Sequence, residues 1–237
     1  MRWIPALLLS VSPCVADASL FAPTPSNETE ARIVQSDRFL ATHPDISYRL
    51  QALDKLDRGD LAGAVADLTV AARHADKASQ AILGEMYWTG RGVTRDRALG
   101  YIWMDLAGER GYPLPIAKRE AYWAALDEAT RRDALARGGA YLAEYGDDAA
   151  RPRLEVLMQR ARRGFRESRA HSVGARTVNI LVGGRFRGVD ASAFMADRYW
   201  TPDGYYAWQD AQGHGYGRGQ VDVGAIEAVD RVPDAGD

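Results

Sequence analysis

The sequence predicts a mainly α-helical protein, an α-solenoid of antiparallel helix pairs with a small mixed α/β segment at its C-terminal end. Apolar residues recur at helical spacing in two successive segments, and each segment shows a glycine turn followed by an aspartate helix cap. This repeated order of turn and cap is typical of a solenoid. After Ala170 the spacing changes to alternation from Val173 to Val182, which indicates a strand.

The composition is that of an ordinary globular protein. Of the 237 residues, 46% are hydrophobic and 26% are charged, so the chain is long enough and apolar enough to bury a sizeable core. The formal net charge is −2, and no global charge excess points to nucleic acid or to a membrane surface. We therefore expect no nucleic-acid partner.

The N-terminus has the pattern of a signal peptide over residues 1–18. Met1-Arg2-Trp3 precedes an apolar stretch from Ile4 to Val11, and Ala16-Asp17-Ala18 fits the A-x-A cleavage pattern. The apolar stretch is shorter than the ~20 residues that span a bilayer, so we expect no transmembrane segment in the mature chain. The expected location is periplasmic or secreted.

Cys14 offers an alternative, a lipid anchor. It follows Pro13, where a lipoprotein signal has a small flexible residue, so cleavage near Ala18 is favoured. A chain that begins at Ser19 contains no cysteine, which excludes disulfides, thiol nucleophiles and zinc–thiolate sites. Prolines and small polar residues then predict a flexible leader over residues 19–27.

The predicted helical repeats occupy residues 28–126. A first helix is expected from Glu28 to Thr42, because His43-Pro44 must end it. Asp45 is the expected N-cap of the next helix, and Gly59-Asp60 is the predicted turn to its partner.

The second helix pair is predicted from Ser79 to Trp88 and from Asp96 to about Glu109, joined by Gly90-Arg91-Gly92. Gly111-Tyr112-Pro113 ends this pair, and one more helix is expected from Ile116 to Leu126.

Residues 127–169 are predicted to form a helical extension. Asp127 begins an amphipathic helix that ends at Gly146, and its apolar residues are Leu135, Tyr141, Leu142 and Tyr145. Pro152 is the expected first residue of a last helix from Arg153 to about Glu167.

Residues 170–237 form the expected mixed segment. The strand that ends at Val182 is followed by a turn at Gly183-Gly184, and Thr201-Pro202 starts a short helix. A second strand is expected from Val221 to Val229, and the tail from Pro233 is expected to be disordered.

One segment resembles the signature of the Sel-one-like repeat, L-G-x-M-Y-x-x-G-x-G-V. The matching residues are Leu83, Gly84, Met86, Tyr87, Gly90, Gly92 and Val93. The family then places an aspartate, an alanine, an aromatic residue and A-A-x-x-G, where this chain has Asp96, Gly100, Trp103, Ala107, Gly108 and Gly111. Gly100 and Gly108 depart from the family's alanines. The match covers Asp76 to Gly111 and, loosely, Tyr48 to Ala75, so more than half of the chain lies outside it.

The resemblance implies a tetratricopeptide-like α-solenoid, and proteins of this family act mainly as adaptors that bind other proteins or peptides. The residues suit such packing on physical grounds as well. Gly84 and Ala107 are small where helices cross, Asp96 caps unpaired amides, and Trp103 is large enough to fill the space between helices. A fold alone does not give a function, so the partner stays open.

No pattern indicates catalysis, a cofactor or a metal, and we expect a protein that is not an enzyme. The four histidines are His43, His74, His171 and His214, and no two of them lie three or four residues apart as helical metal ligands do. Asp147-Asp148 is interpreted as a turn with favourable charge at a helix N-terminus. The glycine-rich stretch from His214 to Gly219 is interpreted as a loop.

Residues 151–187 are rich in arginine, with Glu155 and Glu167 as their only acids. On a helix, Arg153, Arg160 and Arg163 fall on one side, away from an apolar stripe of Leu154, Leu157, Met158 and Ala161. These arginines either pair with the acidic residues that follow or receive an anionic partner, such as an envelope polymer or an acidic protein surface. Internal pairing is the favoured alternative. The acids are Asp190, Asp197, Asp203, Asp210, Asp222 and Glu227.

Four aromatic residues cluster in the C-terminal segment, namely Trp200, Tyr205, Tyr206 and Trp208. Aromatic residues are enriched at interfaces and also in small cores. Because this segment has few aliphatic residues, we expect the cluster to be its core.

Together these observations favour an exported adaptor or scaffold of the bacterial envelope that presents its helices to a protein or peptide partner. The alternative is an accessory of an envelope enzyme whose C-terminal segment contacts a glycan or peptidoglycan. A shallow groove over the helix pairs would favour the first, and a deep C-terminal pocket lined with converging acids would favour the second.

Overall fold

The computed structural model describes residues 21, 25–169 and 176–216, and in these the chain is mainly helical with a small antiparallel sheet. The helices are α1 (Glu28–Val34), α2 (Asp37–Leu40), α3 (Pro44–Asp57), α4 (Leu61–Ala72), α5 (Lys77–Thr89), α6 (Arg97–Gly108), α7 (Pro113–Ala125), α8 (Glu128–Tyr145), α9 (Asp147–Arg169), α10 (Ala191–Phe194), α11 (Asp197–Trp200) and α12 (Pro202–Gly213). The strands are β1 (Thr177–Val182) and β2 (Arg185–Asp190). The mainly α fold with a small mixed C-terminal segment is therefore confirmed.

Several expectations fall outside these residues: the signal peptide, the lipid anchor at Cys14, the strand over Val221–Val229 and the tail from Pro233. Among the helices that the structure describes, none has both the length and the apolar character needed to cross a membrane.

The two predicted helix pairs are α3 with α4 and α5 with α6, and α4 packs against α5. The second helix of each pair starts after an aspartate whose carboxylate accepts a hydrogen bond from a backbone N–H. Asp60 accepts from Gly63, and Asp96 accepts from Leu99. The predicted cap at Asp96 is thus confirmed, and Asp76 caps α5 in the same way.

The connection at Gly90-Arg91-Gly92 is also confirmed. Gly90 has a φ of +81° and Gly92 a φ of +74°, a region that side chains disfavour. A Cβ added at Gly92 would lie 2.5 Å from the Cβ of Leu61. Gly92 therefore also lets the second helix pair approach the first.

Helices α5 and α6 approach most closely at Gly84 and Gly100. A Cβ at Gly84 would lie 3.2 Å from the carbonyl oxygen of Gly100, and a Cβ at Gly100 would lie 2.8 Å from the backbone nitrogen of Trp88. The alanine that the Sel-one-like signature carries at position 100 does not fit this crossing. Glycine here is a consequence of close packing, although it costs up to about 1 kcal/mol in helix propensity.

We expect Gly100→Ala to destabilise the protein by about 1–3 kcal/mol, because the added methyl group would overlap the backbone of α5. Chemical denaturation measures this change. Gly164→Ala in α9 is the matched control, since nothing lies within 4 Å of a Cβ at that helical glycine, and it should be neutral or stabilising. A Gly100→Ala variant as stable as the control would contradict the close crossing.

Two hydrophobic cores hold the elements together. The first lies among α3 to α8, and its largest fully buried side chains include Leu68, Leu83, Met86 and Met104. Phe21 is 2% exposed and joins this core with an edge contact of 5.4 Å to the ring of Tyr216. Phe21 lies within the leader expected over 19–27, and the flexibility of that leader stays a prediction.

The second core joins both ends of the described chain. Ile33 and Phe39 from α1 and α2 pack with Leu154 and Met158 of α9 and with the C-terminal segment. The aromatic cluster is confirmed as core here: Trp200, Tyr205 and Tyr206 are buried, and Trp208 packs against them. Residues 28–40 were expected to belong to the helical repeats, but they pack in the second core with the C-terminal segment, whose described residues 176–216 we call the C-terminal module. The two cores therefore do not follow the expected segment boundaries.

The single helix expected from Glu28 to Thr42 is wrong, because α1 and α2 are separate. Ser36 lies between them, donates from its hydroxyl to the carbonyl oxygen of Ile33 at 2.7 Å and accepts from the backbone N–H of Phe39 at 3.3 Å. A serine that serves both helix ends favours a corner over a continuous helix.

Asp45 is not the N-cap of α3. His43 occupies that position, and Pro44 is the first helical residue, where its missing N–H costs nothing. The carboxylate of Asp45 is instead buried at the junction of the two cores.

Pro152 was expected to begin the last helix, but α9 starts at Asp147 and contains Pro152 in its interior. The side chain of Glu109, at the end of α6, explains the early start. Its carboxylate accepts hydrogen bonds of 3.0 and 3.1 Å from the backbone N–H of Asp147, which caps α9 five residues before the proline.

The two strands form a hairpin in which Val182 pairs with Arg185 and Ile180 with Arg187. The strand expected from Val173 to Val182 is confirmed from Thr177 onward, since residues 173–175 lie outside the described residues, and its turn is confirmed by φ values of +56° and +75° at Gly183 and Gly184. The partner strand is β2. The sequence interpretation missed it, because its arginines and glycine interrupt any alternation of apolar residues.

Candidate functional site

An open groove of about 300 Å³ lies above α6. Helices α7 and α8 each pack on α6 but contact each other little, so they diverge and leave the groove between them. Ile102 and Leu106 of α6 form its floor. The remaining lining residues are Tyr101, Asp105, Glu109, Arg119, Ala134, Leu135, Gly138, Gly139 and Leu142.

The apolar side chains of α8 divide between two faces. Tyr141 and Tyr145 make edge contacts with the ring of Trp103 at 5.5 and 4.7 Å, as the amphipathic pattern predicted. Leu135 and Leu142 were expected on that same apolar side, but they are 68% and 55% exposed and line the groove. They lie seven residues apart, so both point to one face of the helix.

Gly138 and Gly139 give the groove its depth. Nothing lies within 4 Å of a Cβ added at either residue, so the missing side chains leave open space beside the two leucines. The sequence interpretation did not single these glycines out. The available signal was their position in the middle of an 18-residue helix, where each glycine costs up to about 1 kcal/mol relative to alanine.

The charged residues that line the groove are Asp105, Glu109 and Arg119. The guanidinium of Arg119 donates to the carboxylate of Glu120 at 2.6 and 3.0 Å and reaches Asp105 only at 3.4 Å. The side chain of Asp105 is 54% exposed. Asp105 therefore presents a weakly paired negative charge beside an apolar floor.

The signature residues stand behind the groove, and none of them lines it. Leu83, Met86, Trp103 and Ala107 are buried in the first core, while Tyr87 and Val93 are half-buried against it. Gly111 has a φ of +77° at the turn after α6.

Asp96 has a second contact besides the helix cap. Its carboxylate accepts a hydrogen bond of 2.8 Å from Arg137, so it ties α8 to the second helix pair. Partial burial works against ionisation of this carboxyl, but the hydrogen bonds from Arg137 and from the backbone of Leu99 outweigh it and lower the pKa of Asp96.

A buried polar network joins the two cores. Arg110 donates to both carboxylate oxygens of Asp147 at 2.7 and 2.9 Å, to Gln209 at 3.0 Å and to the carbonyl oxygen of Ala75 at 3.1 Å. Lys77, whose side chain is 1% exposed, lies 3.1 Å from Asp147. Burial opposes ionisation of Asp147, but Arg110 and Lys77 lower its pKa to about 2.

This network settles the role of the Asp147-Asp148 pair. Asp147 is the first residue of α9, where its charge also suits the helix dipole, and Asp148 is exposed. The pair lies at a helix N-terminus, as expected. Asp147 contacts Arg110 and Lys77 and does not face a cleft.

Asp45 lies in the same junction. Its Oδ2 accepts hydrogen bonds from the hydroxyl of Tyr205 at 2.5 Å and from Gln209 at 2.7 Å. Burial, together with the nearby charge of Asp76, raises the pKa of Asp45 to about 7. The proton on Asp45 therefore stabilises the folded state.

We expect Asp45→Asn to remove one component of the pH dependence of stability. The stabilising contribution of the Asp45 proton is complete below the ordinary carboxyl pKa of 3.8 and is lost as the pH rises to about 7. Burial lowers the pKa of His43 to about 4, and its contribution runs in the opposite direction, being lost as the pH falls from 6.5 to about 4.

The informative quantity is thus the difference in unfolding free energy between Asp45→Asn and the unchanged chain, in which the His43 contribution cancels. Between pH 4 and 7 this difference should shift in favour of the variant, by at most about 1.4 kcal/mol per pH unit. Denaturant titrations at several pH values measure it. A constant difference would show that burial does not raise the pKa of Asp45 above the ordinary carboxyl value of 3.8.

The histidines do not gather into a site. His43 is fully buried and stacks on Phe39 at 3.9 Å, His74 bonds to the carbonyl oxygen of Val70, and the ring of His214 lies against that of Tyr112. His171 lies outside the described residues. Within the described ranges, no group of three or more histidine, cysteine or acidic side chains is placed to hold a metal ion.

The arginines of α9 do not act together. Arg153 is half-buried and donates to the carbonyl oxygens of Arg73 at 3.1 Å and Glu144 at 2.6 Å, near the C-terminal ends of α4 and α8. Arg160 and Arg163 are exposed and form no salt bridge with a described residue. Among the described residues, the pairing of this helix with the predicted acids is made by Arg162, which lies 3.5 Å from Asp197, while Asp222 and Glu227 lie outside the described residues.

The apolar stripe of α9 is confirmed for three of its four residues, whereas Leu157 is half-buried and does not join the second core. Leu154 and Met158 are fully buried in the second core, and Ala161 packs against it. The stripe therefore faces the N-terminal helices and the C-terminal module.

No protein-family model matches this chain, and comparison with curated proteins and with solved structures also finds no match. The Sel-one-like resemblance therefore rests on the signature residues themselves and stays a prediction.

Proposed function

We propose that this chain is a peptide-binding helical-repeat module, an α-solenoid of Sel-one-like character, and that it acts as an adaptor or scaffold. The groove above α6 is its binding site, and its occupant is an amphipathic helix of a partner protein. The observation that carries the proposal is the pair Leu135 and Leu142, which are 68% and 55% exposed along an apolar floor.

The geometry suits a helix. In helix-in-groove recognition, apolar residues one or two turns apart enter a hydrophobic slot between two helices. Here the leucines and glycines of α8 form one side of the groove, Arg119 of α7 lies on the other, and α6 forms the apolar floor. The exposed carboxylate of Asp105 adds a preference for a partner residue of positive charge beside the apolar stripe.

The site lies over the helix pairs and not in the C-terminal segment, which favours the adaptor over the envelope-enzyme accessory. The periplasmic or secreted location comes from the N-terminal pattern alone and stays a prediction.

The test uses a display library of amphipathic helical peptides with the full chain as bait. We expect the selected peptides to share an apolar stripe with an adjacent lysine or arginine, and Gly139→Leu to abolish their binding by filling the groove. The variant should fold, because space is open at this glycine. Gly164→Leu, at the equally open glycine of α9, is the matched control and should bind as the unchanged chain does.

Two outcomes would overturn this proposal. The first is a library that yields no binder, and the second is a set of binders that Gly139→Leu still holds with unchanged affinity.

A further inference from the structure

The tip of the β1–β2 hairpin is both basic and apolar. Phe186 is 76% exposed, and it pairs across the hairpin with half-buried Leu181. Arg185 and Arg187 flank Phe186, are exposed, and form no salt bridge with any described residue. Between Arg176 and Val189 the sequence contains no acidic residue.

The register separates two faces of the hairpin. Because side chains alternate along a strand, Val178, Ile180 and Val182 point to the second core, and Ile180 is 2% exposed there. Leu181 and Phe186 point to the opposite face. Arg185 and Arg187 pair with Val182 and Ile180 and therefore lie on the first face, so the arginines and Phe186 meet one common surface only when the hairpin approaches it with its tip first.

An exposed phenylalanine is not unusual on its own. Its position is what matters here: it stands next to a turn of two glycines, between two exposed arginines that form no salt bridge with a described residue. Gly183 and Gly184 have no side chains, so the tip can approach a flat surface closely. Arginine and aromatic side chains together suit the boundary between lipid headgroups and acyl chains, since one end of the contact is wet and charged and the other is apolar.

We propose that this hairpin tip binds the surface of an anionic lipid bilayer, with Arg185 and Arg187 at the phosphate groups and Phe186 at the upper end of the acyl chains. A soluble polyanion would engage the arginines but would leave Phe186 and Leu181 without a role. Two arginines and one aromatic residue give weak, reversible association, because each basic residue near an anionic surface strengthens binding by only about fivefold. The hairpin is separate from the groove above α6, so it would hold the adaptor near a membrane while the groove stays accessible.

The test places an environment-sensitive fluorophore at position 186 through Phe186→Cys, in a full chain that also carries Cys14→Ser. With vesicles of phosphatidylglycerol and phosphatidylcholine, the emission should shift to the blue and brighten as the probe enters an apolar layer. The same fluorophore at Leu135→Cys, an exposed position on the groove, should not respond. Because the reading comes from position 186, binding through the N-terminal apolar stretch does not imitate it.

The charge requirement is tested in the same labelled chain. Arg185→Gln with Arg187→Gln should weaken vesicle binding roughly thirtyfold. Arg160→Gln with Arg163→Gln, at two other exposed arginines that form no salt bridge with a described residue, is the matched control and should have a much smaller effect.

A silent probe at position 186 would overturn the proposal, as would an equal response to vesicles of pure phosphatidylcholine. An equal loss in the two arginine double variants would show general charge attraction and would also overturn it. If soluble polyglutamate produced the same emission change, the partner would be a polyanion and not a bilayer.

Discussion

Trp103→Ala is expected to lower the free energy of unfolding by about 3–5 kcal/mol, as for other large aromatic residues removed from a core. Trp103 is 3% exposed on α6, and its ring is in edge contact with Tyr141 and Tyr145 of α8. Removing the indole leaves a cavity and also deletes the contacts that hold α8 on the second helix pair. The surrounding helices are already in close contact, so little collapse into the cavity is available.

Chemical denaturation followed by circular dichroism measures the loss. Trp123→Ala is the matched control, because Trp123 is half-buried on α7 and its ring mainly contacts Tyr101 and Arg131 at the surface. The control should lose clearly less stability. A neutral Trp103→Ala would show that the register of the repeat is wrong, since the signature places its aromatic residue at this position.

The helix pairs were predictable because their signals are local. The glycines at positions 90 and 92 and the cap at Asp96 each act within a few residues of their own place in the chain, and the structure reproduces all three. The same holds for the turn at Gly183-Gly184 and for Thr201, whose hydroxyl accepts from the backbone N–H of Gly204. Turns and helix caps require particular residue types, so the sequence indicates them directly.

The candidate groove was not predictable, because it depends on how far two helices diverge. Periodicity identified Leu135 and Leu142 as apolar residues of α8, yet it gives no information about whether a neighbouring helix covers them. Only the placement of α7 and α8 on α6 shows that these leucines remain open. The glycines at 138 and 139 were a sequence signal for this site, since an interior glycine that lowers helix stability calls for an explanation.

The second core was missed for a similar reason. Phe39 and Tyr199 are far apart in sequence, and their ring contact of 6.0 Å arises only when the N-terminal helices meet the C-terminal module. Long-range association of short elements has no local signature. The polar network between the cores was missed for the same reason, because Arg110 and Gln209 lie 99 residues apart.

Arg110→Met is expected to destabilise the protein by about 3–5 kcal/mol, as for other buried ion pairs that lose one partner. The side chain of Arg110 is 4% exposed, and its loss removes four hydrogen bonds that no water replaces easily. Asp147 would keep Lys77 and Arg151, each at 3.1 Å, as counter-charges, but the amide oxygen of Gln209 and the carbonyl oxygen of Ala75 would lose their donor.

A double-mutant cycle separates the ion pair from the other contacts. Asp147→Asn alone should be destabilising, because it leaves Arg110 and Lys77 buried without their shared carboxylate, and Arg110→Met with Asp147→Asn should cost less than the sum of the single changes. Arg119→Met is the matched control: this arginine also bonds to carboxylates, but its side chain is 29% exposed and its removal should cost at most about 1 kcal/mol. Additive single changes, or an Arg110→Met variant no less stable than the control, would contradict the role of this network in joining the two cores. The buried ions between the two cores therefore depend on one another, because each ion is tolerated there only while its partners from the other elements stay in place.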